Sequence, residues 1–135
     1  MTDETIDRKI AVIFATDVVG YSTSMEYDEV QTLKNLRVCK NILEDLFLQH
    51  GGRVFNTAGD SILAEFSSAV SALVCASEFQ KLVKERNESV DKLQQMEFRI
   101  GINMGDVVKE EGNLYGDGVN IAARLESLAK PNGIC

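Results

Sequence analysis

Two aspartates stand at the ends of apolar runs, each with a glycine within three residues, and their residue type suits a cation site. Asp17 follows the run Ala11–Thr16, and Asp60 lies between Gly59 and the run Ser61–Phe66. A hard divalent cation such as Mg²⁺ is usually held by one or two carboxylates together with substrate phosphates. Two strands that lie side by side would bring both carboxylates to one place. Each aspartate taken alone also fits an ordinary turn, where Asp and Gly are common.

The segment that follows Asp17 has a composition that suits phosphate binding. A strand that ends at Asp17 and turns through Gly20 leaves several main-chain N–H groups directed outward at the start of the next element. Such a loop can bind phosphate oxygens while the adjacent carboxylate holds the accompanying metal. The simpler alternative is that Asp17 only caps the turn.

A polar pair, Asn120 and Arg124, is spaced to share one face of a helix. Residues four apart are neighbours on a helix surface, so an amide and a guanidinium can contact the same anionic or hydroxyl-bearing ligand. The alternative is an ordinary solvent-facing helix surface. The pair therefore acquires a functional interpretation only together with other motifs.

Hydrophobic periodicity predicts the elements that must position these residues. A polar N-terminal tail is predicted at 1–8, before a buried strand at Lys9–Asp17. The later predicted elements are a helix at Asp28–Gln49, a hairpin of strands Arg53–Thr57 and Ser61–Phe66, a helix capped by Ser67-Ser68, a strand at Glu97–Met104, a short strand at Asp106–Lys109, a helix at Val119–Ala129 and the first step of a strand at Ile134-Cys135. This order predicts an α+β fold, a ferredoxin-like palm in which helices pack on an antiparallel sheet of the βαββαβ type.

Two finer predictions concern which side chains face the core. The second long helix is expected to direct six apolar residues inward, and these are Val70, Leu73, Val74, Phe79, Leu82 and Val83. Strand alternation is expected to place Glu65 toward solvent.

Composition limits the possible functions. A length of 135 residues with 44% hydrophobic residues indicates one domain with a real core. The net charge of −7 gives no reason to expect nucleic acid or an anionic membrane surface as a partner. No run approaches the roughly 20 apolar residues of a membrane span, and no secretory signal is visible. Three widely spaced cysteines favour reduced thiols, and a cytoplasmic location is expected.

Four blocks, in order, resemble the class III adenylate/guanylate cyclase catalytic domain. They are Phe14–Ser22 (FATDVVGYS), Gly51–Asp60 (GGRVFNTAGD), Arg99–Gly105 (RIGINMG) and Leu114–Leu125 (LYGDGVNIAARL). The resemblance implies one catalytic domain over residues 9–135, truncated at its C-terminal end. The family's C-terminal strands and a phosphate-binding lysine would lie beyond Cys135, which leaves open whether this chain is active by itself.

The resemblance implies a role for each motif. Two divalent cations, Mg²⁺ or Mn²⁺, would be bound by Asp17, Asp60 and the main-chain carbonyl of Val18. The residues expected to cradle the triphosphate are Val19, Gly20, Tyr21 and Ser22. Asn120 would orient the ribose and Arg124 would meet charge on the α-phosphate, whereas Asn56 and Asn113 fall on the base-recognition positions.

The implied reaction is the conversion of ATP to 3′,5′-cyclic AMP and pyrophosphate in intracellular signalling. In this family the metal ligands and the Asn/Arg pair come from different subunits, so a homodimer with two interfacial active sites is implied. A regulatory domain would lie downstream or in another protein. ATP is favoured over GTP because a guanine site would more naturally supply a carboxylate than the amides of Asn56 and Asn113.

Three alternatives remain open at this point. The chain could use GTP, or it could be a catalytically silent cyclase-like module that binds nucleotide or dimerises. A diguanylate-cyclase-like enzyme shares the palm architecture. Its Gly-Gly-[Asp/Glu]-Glu-Phe signature is not found at the hairpin, which instead has Ala58-Gly59-Asp60-Ser61.

Overall fold

The computed structural model describes residues 6–135, with side chains from Asp7 onward. Five strands are formed, at Ile6–Val18 (β1), Arg53–Ala58 (β2), Ser61–Phe66 (β3), Phe98–Glu110 (β4) and Asn113–Tyr115 (β5). Four α-helices accompany them, at Tyr21–Tyr27 (α1), Glu29–His50 (α2), Ala69–Glu88 (α3) and Asp117–Leu128 (α4). The predicted α+β class is confirmed.

The strands form one antiparallel sheet in the order β2-β3-β1-β4-β5. The central strand β1 pairs with β3 on one side and with β4 on the other, so that Phe14 lies opposite both Ala64 and Ile102. A strand with neighbours on both sides and helices on both faces has little contact with water. This position explains the nearly continuous apolar run from Ala11 to Ala15.

The two faces of the sheet carry separate cores because successive side chains of a strand point to opposite faces. On one face, Val12 and Phe14 pack with α2 and α3, and the rings of Phe14, Phe47 and Phe66 contact one another. The opposite face carries a smaller cluster of Ala11, Ile13, Ala15, Val107, Leu114, Val119 and Ala122. Helix α4 therefore covers the second face, next to β1 and β4.

Gly101 of β4 allows α4 to lie unusually close to the sheet. A Cβ atom at this position would collide with the main-chain oxygen of Ala122 and the main-chain nitrogen of Glu126. Both partners are backbone atoms of a packed helix, and such atoms cannot move aside as a flexible side chain can. The glycine thus fixes the distance between α4 and β4.

The predicted core face of α3 was largely wrong. Of the six residues predicted to face inward, Phe79 and Val83 are buried, whereas Val70, Leu73, Val74 and Leu82 are exposed. The buried face consists of Ala72, Cys75, Ala76, Phe79 and Val83. Small residues let the helix approach the sheet closely, and the prediction overlooked them because it followed the largest side chains.

Other boundaries also differ from the sequence prediction. The predicted tail at 1–8 is wrong for residues 6–8, which belong to β1, and residues 1–5 lie outside the described part. Helix α1 and strand β5 were not predicted, and the two strands expected between 97 and 109 are the single strand β4. The predicted strand start at Ile134 is confirmed by a parallel bridge to Ile100. Within residues 6–135, no helix has the length and apolar character needed to cross a membrane.

Candidate active site

Asp17 and Asp60 both lie at one end of the sheet. Asp17 is the second-to-last residue of β1, and Asp60 lies in the turn between β2 and β3. Because β3 pairs with β1, that turn is brought beside the end of β1. The main-chain N–H of Val18 donates a hydrogen bond to Asp60 Oδ2 at 2.9 Å. This bond holds the Asp60 carboxylate against the residue that follows Asp17.

The segment after Val18 turns sharply into α1. Gly20 caps the helix with φ of 65° and ψ of 31°, a left-handed conformation that favours glycine. The N–H of Val19 is already used, since it donates to the Glu97 carbonyl at 2.8 Å. The amides available to an anion in this segment are therefore those of Gly20, Tyr21 and Ser22 at the start of the helix. Val19 itself ties the segment to the chain just before β4.

Two charged residues to which the sequence reasoning gave no role lie beside Asp17. Arg99 Nη2 is 3.4 Å from both carboxylate oxygens of Asp17 and 3.8 Å from Glu126 Oε2, and Arg99 Nη1 donates to the Ser127 carbonyl at 3.2 Å. Glu126 is only 6% exposed, and its Oε2 atom has no hydrogen-bond partner among the described residues. Arg99 is the direct partner of Asp17 in the pairing of β1 with β4. Only this cross-strand register, which the sequence does not display, could have identified it.

The buried carboxyl group of Glu126 lies near the two aspartates. Burial first, and then the neighbouring Asp17 and Asp60 carboxyl groups, raise the pKa of Glu126 to about 7, against the opposing charge of Arg99. Three carboxyl groups thus lie near one guanidinium, that of Arg99. A divalent cation at Asp17 and Asp60 would supply the missing positive charge.

The donor set fits a hard cation, provided that other ligands complete it. Carboxylate and carbonyl oxygens are the ligands that Mg²⁺ and Mn²⁺ prefer. No group of three or more His, Cys, Asp or Glu side chains between residues 6 and 135 is arranged to hold a metal ion. Two carboxylates would thus need help from the Val18 carbonyl, water or substrate phosphates, which is the usual situation for Mg²⁺.

Asn120 and Arg124 lie on the far side of α4 from these carboxylates. Ala122 and Glu126 are buried toward the sheet, and positions two residues away on a helix point in nearly the opposite direction. Both Asn120 and Arg124 are exposed. Among the described residues, no hydrogen bond or ion pair joins either side chain to Asp17 or Asp60. Within one chain, the carboxylates of Asp17 and Asp60 are therefore not in contact with the side chains of Asn120 and Arg124.

The predicted base-recognition residues lie on the two outer strands of the sheet. Asn56 is exposed on β2, next to an irregularity in the pairing between Val54 and Asn56. Asn113 begins β5, where its Oδ1 accepts from the Leu114 N–H at 2.8 Å and its Nδ2 donates to the Tyr115 hydroxyl at 3.2 Å. Although β2 and β5 are the edge strands, they approach each other because the sheet is curved.

Comparisons with known proteins agree with this arrangement. The family model described as the adenylate and guanylate cyclase catalytic domain matches residues 3–135. A Rhizobium meliloti protein, named as a candidate adenylate cyclase, is 44% identical over 135 residues, which are 99% of this chain and 23% of that relative. An adenylate cyclase of Streptomyces coelicolor is 32% identical over 133 residues, or 98% of this chain and 33% of the relative. The chain thus spans a quarter to a third of these curated relatives.

Solved structures give the same picture. The adenylate/guanylate cyclase/hydrolase from Silicibacter pomeroyi superimposes with a TM-score of 0.88 at 39% identity, covering 96% of this chain and 76% of that one. The guanylyl cyclase Cya2 superimposes with a TM-score of 0.83 at 28% identity, covering 95% of this chain and 74% of that one. The sheet and the helices around Asp17 and Asp60 thus have close counterparts among solved structures.

Proposed function

Because the chain belongs to the adenylate and guanylate cyclase catalytic domain family, we propose that it is the catalytic part of an enzyme that converts ATP to 3′,5′-cyclic AMP and pyrophosphate. The observation that carries this proposal is the hydrogen bond from the Val18 N–H to Asp60, which holds both aspartates beside the turn at Gly20. Carboxylates and free helix-start amides at one place suit a metal–triphosphate complex.

Asp17, Asp60 and the Val18 carbonyl would hold two divalent cations, Mg²⁺ or Mn²⁺. When bound, such ions lower the pKa of the ribose 3′-hydroxyl and offset charge on the departing pyrophosphate. The amides of Gly20, Tyr21 and Ser22 bind phosphate oxygens, and the Val19 hydrogen bond to Glu97 keeps this segment in place. The ribose 3′-hydroxyl gives up its proton to solvent as its oxygen attacks the α-phosphorus in line, and the bond from that phosphorus to the bridging oxygen breaks, which releases pyrophosphate.

Asn120 and Arg124 would complete the site from a second copy of the chain. They face solvent on the side of α4 away from the carboxylates of their own chain, so a partner can contact them there. In a symmetric dimer, Asn120 orients the ribose and Arg124 stabilises charge on the α-phosphate of the other protomer's substrate. Because each protomer supplies Asn120 and Arg124 to the other, the dimer has two equivalent sites.

ATP is the proposed substrate, and GTP is the second candidate. Asn56 and Asn113 supply amides and no carboxylate at the base-recognition positions, and an amide can accept from the adenine 6-amino group while donating to N1. Two relatives are named as adenylate cyclases, which supports ATP. The likeness to the guanylyl cyclase Cya2 is the observation that keeps GTP in consideration. We place the reaction in the cytoplasm, under the control of a regulatory domain that lies downstream or in another protein.

The deciding experiment incubates the complete protein that contains this chain with ATP or GTP and Mn²⁺, and identifies the product by mass. Cyclic AMP should form from ATP, and Asp17→Ala should abolish it. Asp45→Ala, an exposed aspartate on α2 outside the site, is the matched control and should remain active. Nucleotide binding without any cyclic product would instead establish a silent binding module.

A further inference from the structure

We propose that Arg53 is a positioning residue for purine recognition, because it ties β2 to the turn between β4 and β5 and thereby fixes the spacing of Asn56 and Asn113. The inference rests on the proposed function, in which these two amides contact the base. Arg53 does not contact the base in this account. It acts through the two strands that carry the amides.

Arg53 uses its guanidinium to join two different elements. Its Nη1 donates to the Gly112 carbonyl at 2.8 Å, and its Nη2 donates to Glu65 Oε1 at 2.9 Å. The other oxygen of Glu65 pairs with Lys9 Nζ at 2.6 Å. The guanidinium reaches the two acceptors through two separate nitrogens held in one plane, whereas a lysine ammonium would have to reach both from a single nitrogen.

Glu65 anchors this arrangement, although the sequence placed it toward solvent. Its side chain is 16% exposed and lies between Lys9 and Arg53. Burial acts to raise the pKa of Glu65, but hydrogen bonds and charges from Lys9 and Arg53 outweigh it and keep that pKa below its usual value. The carboxylate therefore stays ionised and holds the Arg53 guanidinium in a defined direction.

The acceptor at Gly112 is equally well defined. Glu111 and Gly112 both have positive φ, 52° and 83°, and Glu110 pairs with Asn113 across them. Two consecutive left-handed residues are the signature of a tight two-residue hairpin turn whose geometry allows little variation. Asn113 follows Gly112 directly, so a bond to the Gly112 carbonyl also restrains Asn113.

No ladder of main-chain hydrogen bonds can perform this task, because β2 and β5 are at opposite edges of the sheet. Between residues 6 and 135, the bond from Arg53 to Gly112 is the one side-chain hydrogen bond that joins β2 to the β4–β5 hairpin. On β2, Asn56 lies three residues after Arg53, within the irregular pairing near Val54. Strand β2 is therefore irregular close to Asn56, the residue whose position matters for base recognition.

Spacing matters here because an amide can both donate and accept. Adenine presents a donor at its 6-amino group and an acceptor at N1, and guanine presents the reverse pattern, so an amide can satisfy either purine unless its orientation is set. Leu114 and Tyr115 set the orientation of the Asn113 amide, but they do not set its separation from Asn56. Two amides discriminate only when they are held at a fixed separation and orientation. Loosening the link should therefore weaken purine binding and discrimination and leave the chemical step intact.

The test compares Arg53→Ala with Lys9→Ala in the complete protein. Lys9 shares Glu65 with Arg53 but forms no bond to the β4–β5 turn, which makes it the matched control. Arg53→Ala should raise the KM for ATP about tenfold and reduce the ATP-to-GTP preference in kcat/KM by a similar factor, with kcat within about twofold. Lys9→Ala should leave that preference unchanged.

Arg53→Lys separates positioning from folding. Lysine should keep the ion pair with Glu65 and preserve the Tm, but it has no second nitrogen to reach the Gly112 carbonyl, so the preference should fall as in Arg53→Ala. An unchanged preference in both Arg53 variants, or an equal change in Lys9→Ala, would overturn the inference. A fall in kcat without a rise in KM would also overturn it.

Equilibrium dialysis with the non-reacting probes α,β-methylene-ATP and α,β-methylene-GTP in Mg²⁺ keeps this test separate from the proposed reaction. If the wild-type protein forms no cyclic product, the proposed function fails, and the ratio of the two dissociation constants still tests Arg53. That ratio should move toward one in Arg53→Ala and stay at the wild-type value in Lys9→Ala.

Discussion

The end of β1 that carries Asp17 and the outer face of α4 differ in whether their polar side chains have partners within one chain. Asp17 and Asp60 are partly buried, and each has a hydrogen-bonding or ionic partner within the chain. Asn120 and Arg124, by contrast, are exposed.

 The difference indicates that a single chain organises the carboxylate end of β1 by itself, whereas the proposed function gives the polar pair on α4 its partners in a ligand or a second copy.

A physical reason underlies the contrast. Helix α4 has one face held against β4 at Gly101 and a second face that is exposed. The same helix therefore connects both regions, since Glu126 on its inner face approaches Arg99 while Arg124 faces outward. Changes on the inner face should affect stability, and changes on the outer face should affect turnover.

The largest expected effect comes from inactivating the two regions by substitutions on different chains. Asp17→Ala and Arg124→Ala should each lower cyclic nucleotide formation by about 100-fold or more, because each removes one half of every site. Mixing the two variants should restore about a quarter of the wild-type rate, since half of the dimers are mixed and each mixed dimer has one intact site. Product formation in the mixture measures this recovery.

Mixing two separately purified preparations of Asp17→Ala is the control and should restore nothing. If subunit exchange is demonstrated and the mixture still does not recover activity, both sets of residues act within one chain. The contrast between the two regions is then wrong.

A smaller effect is expected from the inner face of α4. Gly101→Ala would force a Cβ atom against the helix backbone and should lower the free energy of unfolding by about 3 kcal/mol. Gly105→Ala on the same strand is the matched control, because its Cβ would meet mainly the Asn103 side chain at 3.1 Å. Urea unfolding should show at most half the loss there, and equal losses would mean that α4 is not held by close contact.

The buried carboxyl of Glu126 should make stability depend on pH. Its pKa is raised from 4.5 to about 7 in the folded chain, so the folded state keeps a proton that the unfolded state releases. Stability is therefore highest below pH 4.5 with respect to this group and declines as the pH rises to about 7. Glu126→Gln should remove this decline and be more stable than wild type at pH 8 by about 1 to 3 kcal/mol.

Urea unfolding in the presence of EDTA, repeated from pH 4.5 to pH 8, measures this difference without a bound cation. Glu44→Gln, an exposed change on α2, should leave the pH profile of the wild type unchanged. Parallel profiles for wild type and Glu126→Gln would show that Glu126 titrates normally.

The smallest expected effect on the free energy of unfolding comes from an exposed position on α3. Val70→Ala on α3 should change the free energy of unfolding by less than about 0.5 kcal/mol, since Val70 is 72% exposed. The same substitution at Val83, which is fully buried, should lower it by about 2 kcal/mol. Thermal or urea unfolding of both variants provides the measure, and a comparable loss at Val70 would reveal a packing partner on that face.

Much of the fold could be predicted from local patterns. The strand at the centre of the sheet, the hairpin at Asp60 and the long helix α2 follow from apolar runs, turn residues and helical periodicity. The inner face of α3 could not be predicted in the same way, because Ala72, Cys75 and Ala76 carry little hydrophobic signal and are buried only through close approach to the sheet.

The sequence by itself determined which chemical groups are available and where turns occur. Asp17, Asp60 and the glycine after Val19 have their chemistry and local geometry from residue type alone, because a carboxylate and a left-handed glycine need no distant partner to be recognised.

Only the tertiary structure decided which of those groups meet. The pairing of β1 with β4 places Arg99 opposite Asp17, α4 brings Glu126 to the same place, and the curvature of the sheet lets Arg53 reach Gly112. These contacts join residues far apart in the chain, and they depend on strand register and helix approach, which arise from the packing of the whole domain and from no single segment of the sequence.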